Sequence, residues 1–155
     1  MIRQERVLDF PYIKDDPVRP NLSMEFRISS HREVYSYVYE NEVVAVICVA
    51  YTKEVPITIE ELQEQSISPN EAKCAIFYTV WSYKKGFGRS LIIEGIPMII
   101  KRYSNLKRFV TLSPKTEMAY QFHTKNGANH IANNPESDNY EYTITKIAES
   151  KVVLP

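Results

Sequence analysis

The sequence predicts an α/β domain with a mixed central sheet flanked by helices. Apolar, β-branched runs alternate with segments of helical periodicity. Residues 43–50 are apolar at every position, which marks a strand covered on both faces. Residues 73–83, rich in aromatic and β-branched side chains, lead through a Gly-containing loop into a helical segment. With 44% hydrophobic and 25% charged residues over 155 positions, the chain has the composition of one globular domain, residues 1–155.

Each element follows in order. Residues 1–23 carry Pro11, Pro17 and Pro20 among charges and predict an extended arm lying over the domain. Residues 24–28 alternate and predict a strand. Residues 33–39 alternate too, and Asn41-Glu42 reads as a two-residue turn into 43–51, a hairpin. Thr58-Ile59-Glu60-Glu61 has the form of a capping box, so a short helix starts there and ends before Pro69. In residues 89–103, Ile92, Ile96, Ile99, Ile100 and Tyr103 share a helical face, interrupted by Gly95 and Pro97. A kinked helix is preferred to a strand followed by a helix starting at Pro97, although an interior proline costs about 3 kcal/mol. Residues 108–112 read as a strand and 115–126 as a helix, with Gly127 its left-handed cap. Residues 140–145 alternate strictly and predict a late strand, with 152–154 pairing beside it.

Composition excludes several classes. Nineteen Lys and Arg balance nineteen Asp and Glu. That balance argues against nucleic acid as the main partner, because neutralising phosphates needs excess cation. Cys48 and Cys74 lie in apolar runs and read as small buried side chains, too few for a disulfide framework; a reduced cytoplasm is the simplest compartment. No apolar stretch follows Met1–Arg6, so no signal peptide is expected. The run around Val43 is roughly half of the ~20 residues that span a bilayer, so no membrane segment is expected.

Two places carry potential chemistry. The first is the basic loop Lys84-Lys85-Gly86-Phe87-Gly88-Arg89-Ser90. Glycine lets backbone approach a phosphate closely, Lys and Arg add charge, Ser90 can cap the helix, and the helix N-terminus favours anions. The loop lacks the third glycine of a dinucleotide fingerprint and the Gly-Lys-Ser/Thr of a P-loop, and a plain basic turn is the alternative. The second is a hydroxyl and an imidazole: Ser113 closes an apolar strand, and His123 lies near the end of the following helix. The bland reading makes Ser113 a helix cap and His123 a hydrogen-bonded core residue. Met118 and Phe122 are expected to pack on another face of that helix. His31-Arg32-Glu33, Asp15-Asp16 and Glu60-Glu61 read as solvated charge, and His130 as a surface residue of an Asn-rich loop, 126–139. Trp81 ends its strand beside the Gly loop and is either core or the wall of a pocket there. No His/Cys/Asp/Glu cluster has metal spacing, so no metal is expected.

A strand followed by x-x-Gly-x-Gly and a helix resembles the pyrophosphate loop of the GNAT superfamily of acyl-CoA transferases, with Tyr83 where Gln or Arg usually opens the pattern. Downstream, Thr116-x-x-Ala119-x-x-x-His123-x-Lys125-x-Gly127 keeps the register of that superfamily's helix, with His123 at its usual Tyr. One branch fits better. Ala75-Ile76-Phe77-Tyr78-Thr79-Val80, Lys85-Gly86-Phe87, Ile99-Ile100-Lys101-Arg102, Thr111-Leu112-Ser113-Pro114, Phe122-His123-x-x-Asn126-Gly127-Ala128 and Asn139-Tyr140-Glu141-Tyr142 resemble, in order, the catalytic domain of malonyl-CoA decarboxylase. That family has a helical N-terminal domain with no counterpart here, and a long insertion between Leu-Ser-Pro and Phe-His, where this chain runs straight through.

The resemblance implies a GNAT-like domain binding a coenzyme A thioester, or an acyl-phosphopantetheine, as substrate. It implies Ser113 and His123 as the catalytic pair acting on a malonyl-type thioester. His123 would be the acid, its ordinary pKa near 6.5; Ser113 would hold the departing carboxylate or orient His123. Backbone N–H groups near Val80, Trp81 and Ser82 would meet the thioester oxyanion, and Lys85, Gly86, Phe87, Gly88, Arg89 and Ser90 would hold the pyrophosphate. Acetyl transfer from acetyl-CoA to an amine, and a non-catalytic CoA-binding module, stay open beside it, as does a homodimer.

Overall fold

The computed structural model describes residues 1–143 and Ile147. Strands β1 (Ile2–Glu5), β2 (Glu33–Tyr39), β3 (Glu42–Thr52), β4 (Cys74–Ser82), β5 (Arg108–Thr111), β6 (Asn129–Asn133) and β7 (Asp138–Tyr142) form one sheet, ordered β1-β2-β3-β4-β5-β7-β6. The sheet is mixed: β4 and β5 are parallel, and the other neighbours are antiparallel. Helices α1 (Met24–Ile28), α2 (Ile59–Gln65), α3 (Phe87–Arg102) and α4 (Glu117–Lys125) complete the described fold. The parallel pair follows from α3, because strands joined through a crossover helix run the same way.

The long apolar strand is covered on both faces, as its composition requires. Ala45, Ile47, Val49 and Tyr51 join one core, beneath Leu91, Ile92 and Ile96 of α3. Val46, Cys48 and Ala50 join a second core with Met24 and Leu62. Both cysteines are buried thiols. In α3, Pro97 lies inside a continuous helix that starts at Phe87. Its cost of about 3 kcal/mol is outweighed by burying Ile92, Ile93, Ile96 and Ile99, at roughly 1.5–3 kcal/mol each.

Several expectations change. Residues 24–28 form helix α1, not a strand: Ser23 caps it by accepting from Phe26 N at 3.1 Å, and Met24 and Arg27, three apart, are its buried residues. Five alternating residues satisfy either periodicity, and the cap decides. The hairpin turn is Glu40-Asn41, with φ of 51° and 66°, one residue earlier than expected. The arm contributes edge strand β1 and a short 3-10 helix, Pro11–Asp15. The Asn-rich segment holds β6, a polar edge strand that no apolar alternation announces. Helix α2 keeps its cap, Thr58 accepting from Glu61 N at 3.1 Å. Met118 does not pack; it is 83% exposed. Arg32, Glu33 and Asp16 are buried, not solvated. Strand β7 spans Asp138–Tyr142; the expected continuation over 144–145 and the partner at 152–154 lie outside the described residues. No described helix is long and apolar enough to cross a membrane.

Candidate active site

The Gly loop is built as a helix entrance. Gly86 is the N-cap of α3 at φ 94°, a conformation that favours glycine. Ser90 does not cap the helix; its hydroxyl donates back to Gly86 O at 3.1 Å. The first turn leaves the Gly88 and Arg89 N–H groups without an acceptor among the described residues, the orphan donors that give a helix N-terminus its affinity for anions. Lys85 and Gly86 are exposed. Phe87 instead turns inward, its ring 5.3 Å from Tyr37 and 5.1 Å from Tyr39, and anchors the loop to the β2–β3 hairpin. A Cβ on Gly88 would meet the Phe122 ring at 3.4 Å, so the loop and α4 are in direct contact.

Strand β4 opens beside that loop. Val49 pairs with Phe77 but Cys48 with Thr79, which makes Tyr78 a β-bulge. On the other edge the ladder to β5 ends at Phe77–Thr111, after which Leu112 N donates to Phe77 O at 2.9 Å. Tyr83 N donates to Val44 O at 2.8 Å. By alternation Trp81 also bonds toward β3, while Val80 and Ser82 turn their N–H and C=O groups to the side β5 has left. The Trp81 amide is therefore not available to a ligand there. Its ring is buried in the core, with the Arg27 guanidinium 5.9 Å from its centroid.

Ser113 and His123 each contact β7, Ser113 at Asp138 and His123 at Tyr142. Ser113 is buried; it exchanges backbone bonds with Asp138, and its hydroxyl donates to Thr111 Oγ1 at 2.7 Å. The same Thr111 oxygen accepts from Tyr140 N at 3.1 Å. The Tyr140 ring stacks on His123 with centroids 5.0 Å apart, so Tyr140 touches His123 directly and is linked to Ser113 only through Thr111. Ser113 is not the helix cap; Thr116 is, accepting from Ala119 N at 3.2 Å. Nor does Ser113 orient His123: Tyr142 Oη lies 2.8 Å from His123 Nδ1. With the phenol donating, the ring proton sits on Nε2. Burial lowers the His123 pKa to about 4, so the imidazole is neutral at pH 7 rather than a ready acid. Burial raises the Tyr142 pKa, and the nearby charge of Arg89 opposes that rise, which places the first turn of α3 beside the same phenol.

A family model, the malonyl-CoA decarboxylase C-terminal domain, matches residues 23–151. The chain belongs to that family. The malonyl-CoA decarboxylase of Rhodopseudomonas palustris is 17% identical, with a TM-score of 0.74 over 96% of this chain and 61% of that one. The Agrobacterium vitis enzyme is 20% identical, with a TM-score of 0.64 over 87% of this chain and 38% of that one. This chain therefore spans less than two thirds of either protein. A GNAT family acetyltransferase from Elizabethkingia anophelis, solved with acetyl-CoA bound, is 13% identical, with a TM-score of 0.57 over 91% of this chain and 94% of that one. The fold is thus GNAT-like, the mixed α/β domain expected. No curated protein matches the chain significantly.

Several residues beside these groups were not assigned a role from sequence. Tyr140 is fully buried and its hydroxyl has no hydrogen-bond partner among the described residues. Tyr142 orients the imidazole. Their alternation around Glu141 puts both on one face, a signal that was present. Arg19, from the arm, had none: its guanidinium donates to Tyr78 O and, at 3.3 Å, to Leu112 O, across the β4–β5 opening. Among the described residues no group of three His, Cys, Asp or Glu could hold a metal ion.

Proposed function

We propose that the chain binds a malonyl-type thioester of coenzyme A, or of phosphopantetheine, and decarboxylates it. The observation that carries this reading is the packing of two distant motifs beside an unpaired strand edge. Gly88 of the loop meets Phe122, the neighbour of His123, and lies beside Ser82, which like Val80 has no partner on the β5 side among the described residues. Phosphates would lie on the Gly88 and Arg89 N–H groups with Lys85 adding charge, and the pantetheine arm would run along β4. Family membership and the similarity to an acetyltransferase that binds acetyl-CoA support this placement.

The chemistry breaks the bond between the α-carbon and the carboxylate. The electron pair moves to the α-carbon and the thioester oxygen, CO2 departs, and the α-carbon takes one proton to give an acetyl thioester. The Val80 N–H would stabilise the oxyanion, worth several kcal/mol in a shielded site. A neutral imidazole is a poor acid, so the bound substrate must change it. An anion beside His123 favours the imidazolium and raises its pKa; the ring gains a proton from solvent as substrate arrives and delivers it to carbon. Ser113, rotating away from Thr111, would donate to the carboxylate before it leaves.

Incubation with malonyl-CoA, with acetyl-CoA and CO2 as readouts, tests this. Wild type gives both, and His123→Ala lowers the rate by about 10²–10⁴-fold, the usual contribution of a positioned proton donor. No product from wild type, or equal rates from the variant, contradicts the reading. The likeness to acetyltransferases favours acyl transfer as the second reading, which predicts release of CoA from acetyl-CoA only when an amine is added. Thermal stabilisation by CoA without turnover of either thioester would select a binding module.

A further inference from the structure

We propose that Arg19 is a specificity-determining residue: its guanidinium, held across the mouth of the β4–β5 opening, selects acyl thioesters whose acyl group ends in an anion. The inference rests on reading that opening as the thioester site.

Position comes first. The last paired residues of the two strands are Phe77 and Thr111, and Arg19 bonds the carbonyl of the next residue on each, Tyr78 and Leu112. Leu112 immediately precedes Ser113. Along β4, Val80 lies two residues beyond Tyr78, or about 7 Å at strand rise. That is the span of a thioester oxygen, a methylene and a carboxylate with their hydrogen bonds.

The placement is also built. Asp16 Oδ1 accepts from Val18 N and Arg19 N, both at 2.9 Å, and from Thr79 Oγ1 at 3.0 Å. Asp16 Oδ2 takes Arg27 Nη1 at 2.8 Å, and Arg27 Nη2 donates to Arg19 O at 2.7 Å. The backbone on both sides of Arg19 is therefore pinned to the bulge and to α1.

Charge gives the direction. The Asp16 carboxylate is ion-paired with Arg27 and accepts only the backbone N–H of Arg19, and among the described residues no carboxylate lies within 4.0 Å of the Arg19 guanidinium. Its two acceptors are neutral carbonyls, which use two of its five donors. A shielded cation with only neutral partners is unfavourable until an anion completes it. The planar guanidinium matches a carboxylate in two parallel hydrogen bonds. Loss of CO2 removes that partner, so the same contact that selects substrate loosens the product.

Calorimetric titration of wild type, Arg19→Gln and Arg19→Lys tests this. The ligands are CoA, acetyl-CoA and sulfoacetyl-CoA, whose sulfonate replaces the carboxylate and cannot leave as CO2. Wild type binds sulfoacetyl-CoA roughly 10- to 100-fold more tightly than acetyl-CoA, the worth of one charged hydrogen-bond pair. Arg19→Gln brings that ratio near one and leaves CoA affinity unchanged; Arg19→Lys retains part of it. Equal affinity of wild type for the two thioesters overturns the role of Arg19, whatever the variants do, and leaves the thioester site standing. An unchanged ratio in Arg19→Gln also overturns it. Failure of wild type to bind CoA at all overturns the site itself, and this inference with it.

Discussion

Two shielded charges in this domain are treated in opposite ways. Glu33 is buried at the start of β2 and accepts from three phenols: Tyr35 at 2.7 Å, Tyr103 at 2.7 Å, and Tyr51. Arg102 donates to the Tyr35 oxygen at 2.8 Å and supplies the balancing charge one residue away. Both carboxylate oxygens are engaged, and burial beside the carboxylate raises the pKa of all three phenols, that of Tyr103 to about 12. The Arg19 guanidinium, at the β4–β5 opening, has two neutral carbonyls and, among the described residues, no ion-paired carboxylate. A buried charge whose hydrogen bonds close on themselves specifies the fold, here tying β2, β3 and the end of α3 together. A charge left incomplete at a strand opening specifies a ligand.

The comparison can be broken most severely at Asp16. Asp16→Ala strips the counter-charge from fully buried Arg27 and releases the loop that holds Arg19. Urea denaturation is expected to show a loss of about 3–5 kcal/mol, the cost of orphaning a buried ion. A loss below about 1 kcal/mol would mean the pair does not organise the arm.

Acid acts on the other side of the site. The folded-state pKa of His123 near 4 lies below the ordinary 6.5. Between those values the unfolded chain binds more protons, so His123 costs no stability above about pH 6.5 and progressively more as pH falls toward 4. The total reaches about 3 kcal/mol, and His123→Gln should flatten that part of the pH–stability curve. An unchanged curve in the variant would place the acid sensitivity elsewhere.

The sharpest contrast is between two conservative changes. Glu33→Gln replaces a charged acceptor of three phenols and should cost about 2 kcal/mol. Arg19→Gln removes a charge whose guanidinium has no ion-pair partner among the described residues, and should cost less than about 1 kcal/mol. Equal losses in denaturation midpoint would erase the distinction between a structural and a ligand-directed charge.

Much of the fold was legible because local signals agreed with tertiary demand. The all-apolar β3, the capping box at Thr58 and the left-handed Gly127 each carry their reason in sequence. Strand β6 was not legible: as an edge strand it needs no apolar face, so its residues read as loop. Helix α1 was misread because five alternating residues fit either period, and only Ser23 breaks the tie. At the site, the loop and the Ser113/His123 pair were visible as chemistry-bearing types in order. What stayed hidden depends on depth and long-range register. The neutrality of His123 follows from burial that no motif encodes. The withdrawal of Trp81 from the ligand side depends on a bulge at Tyr78, and Arg19 reaches the opening from about 60 residues away in sequence.

The central claim is that a thioester lies along the unpaired edge of β4, with its phosphates at the start of α3. Amide NMR of the uniformly ¹⁵N-labelled protein titrated with CoA tests it most directly. The amides of Val80, Ser82, Gly88 and Arg89 should shift together and saturably, while that of Trp81, bonded toward β3, moves least among its neighbours. Saturable shifts confined to other residues, or none at all, would contradict it.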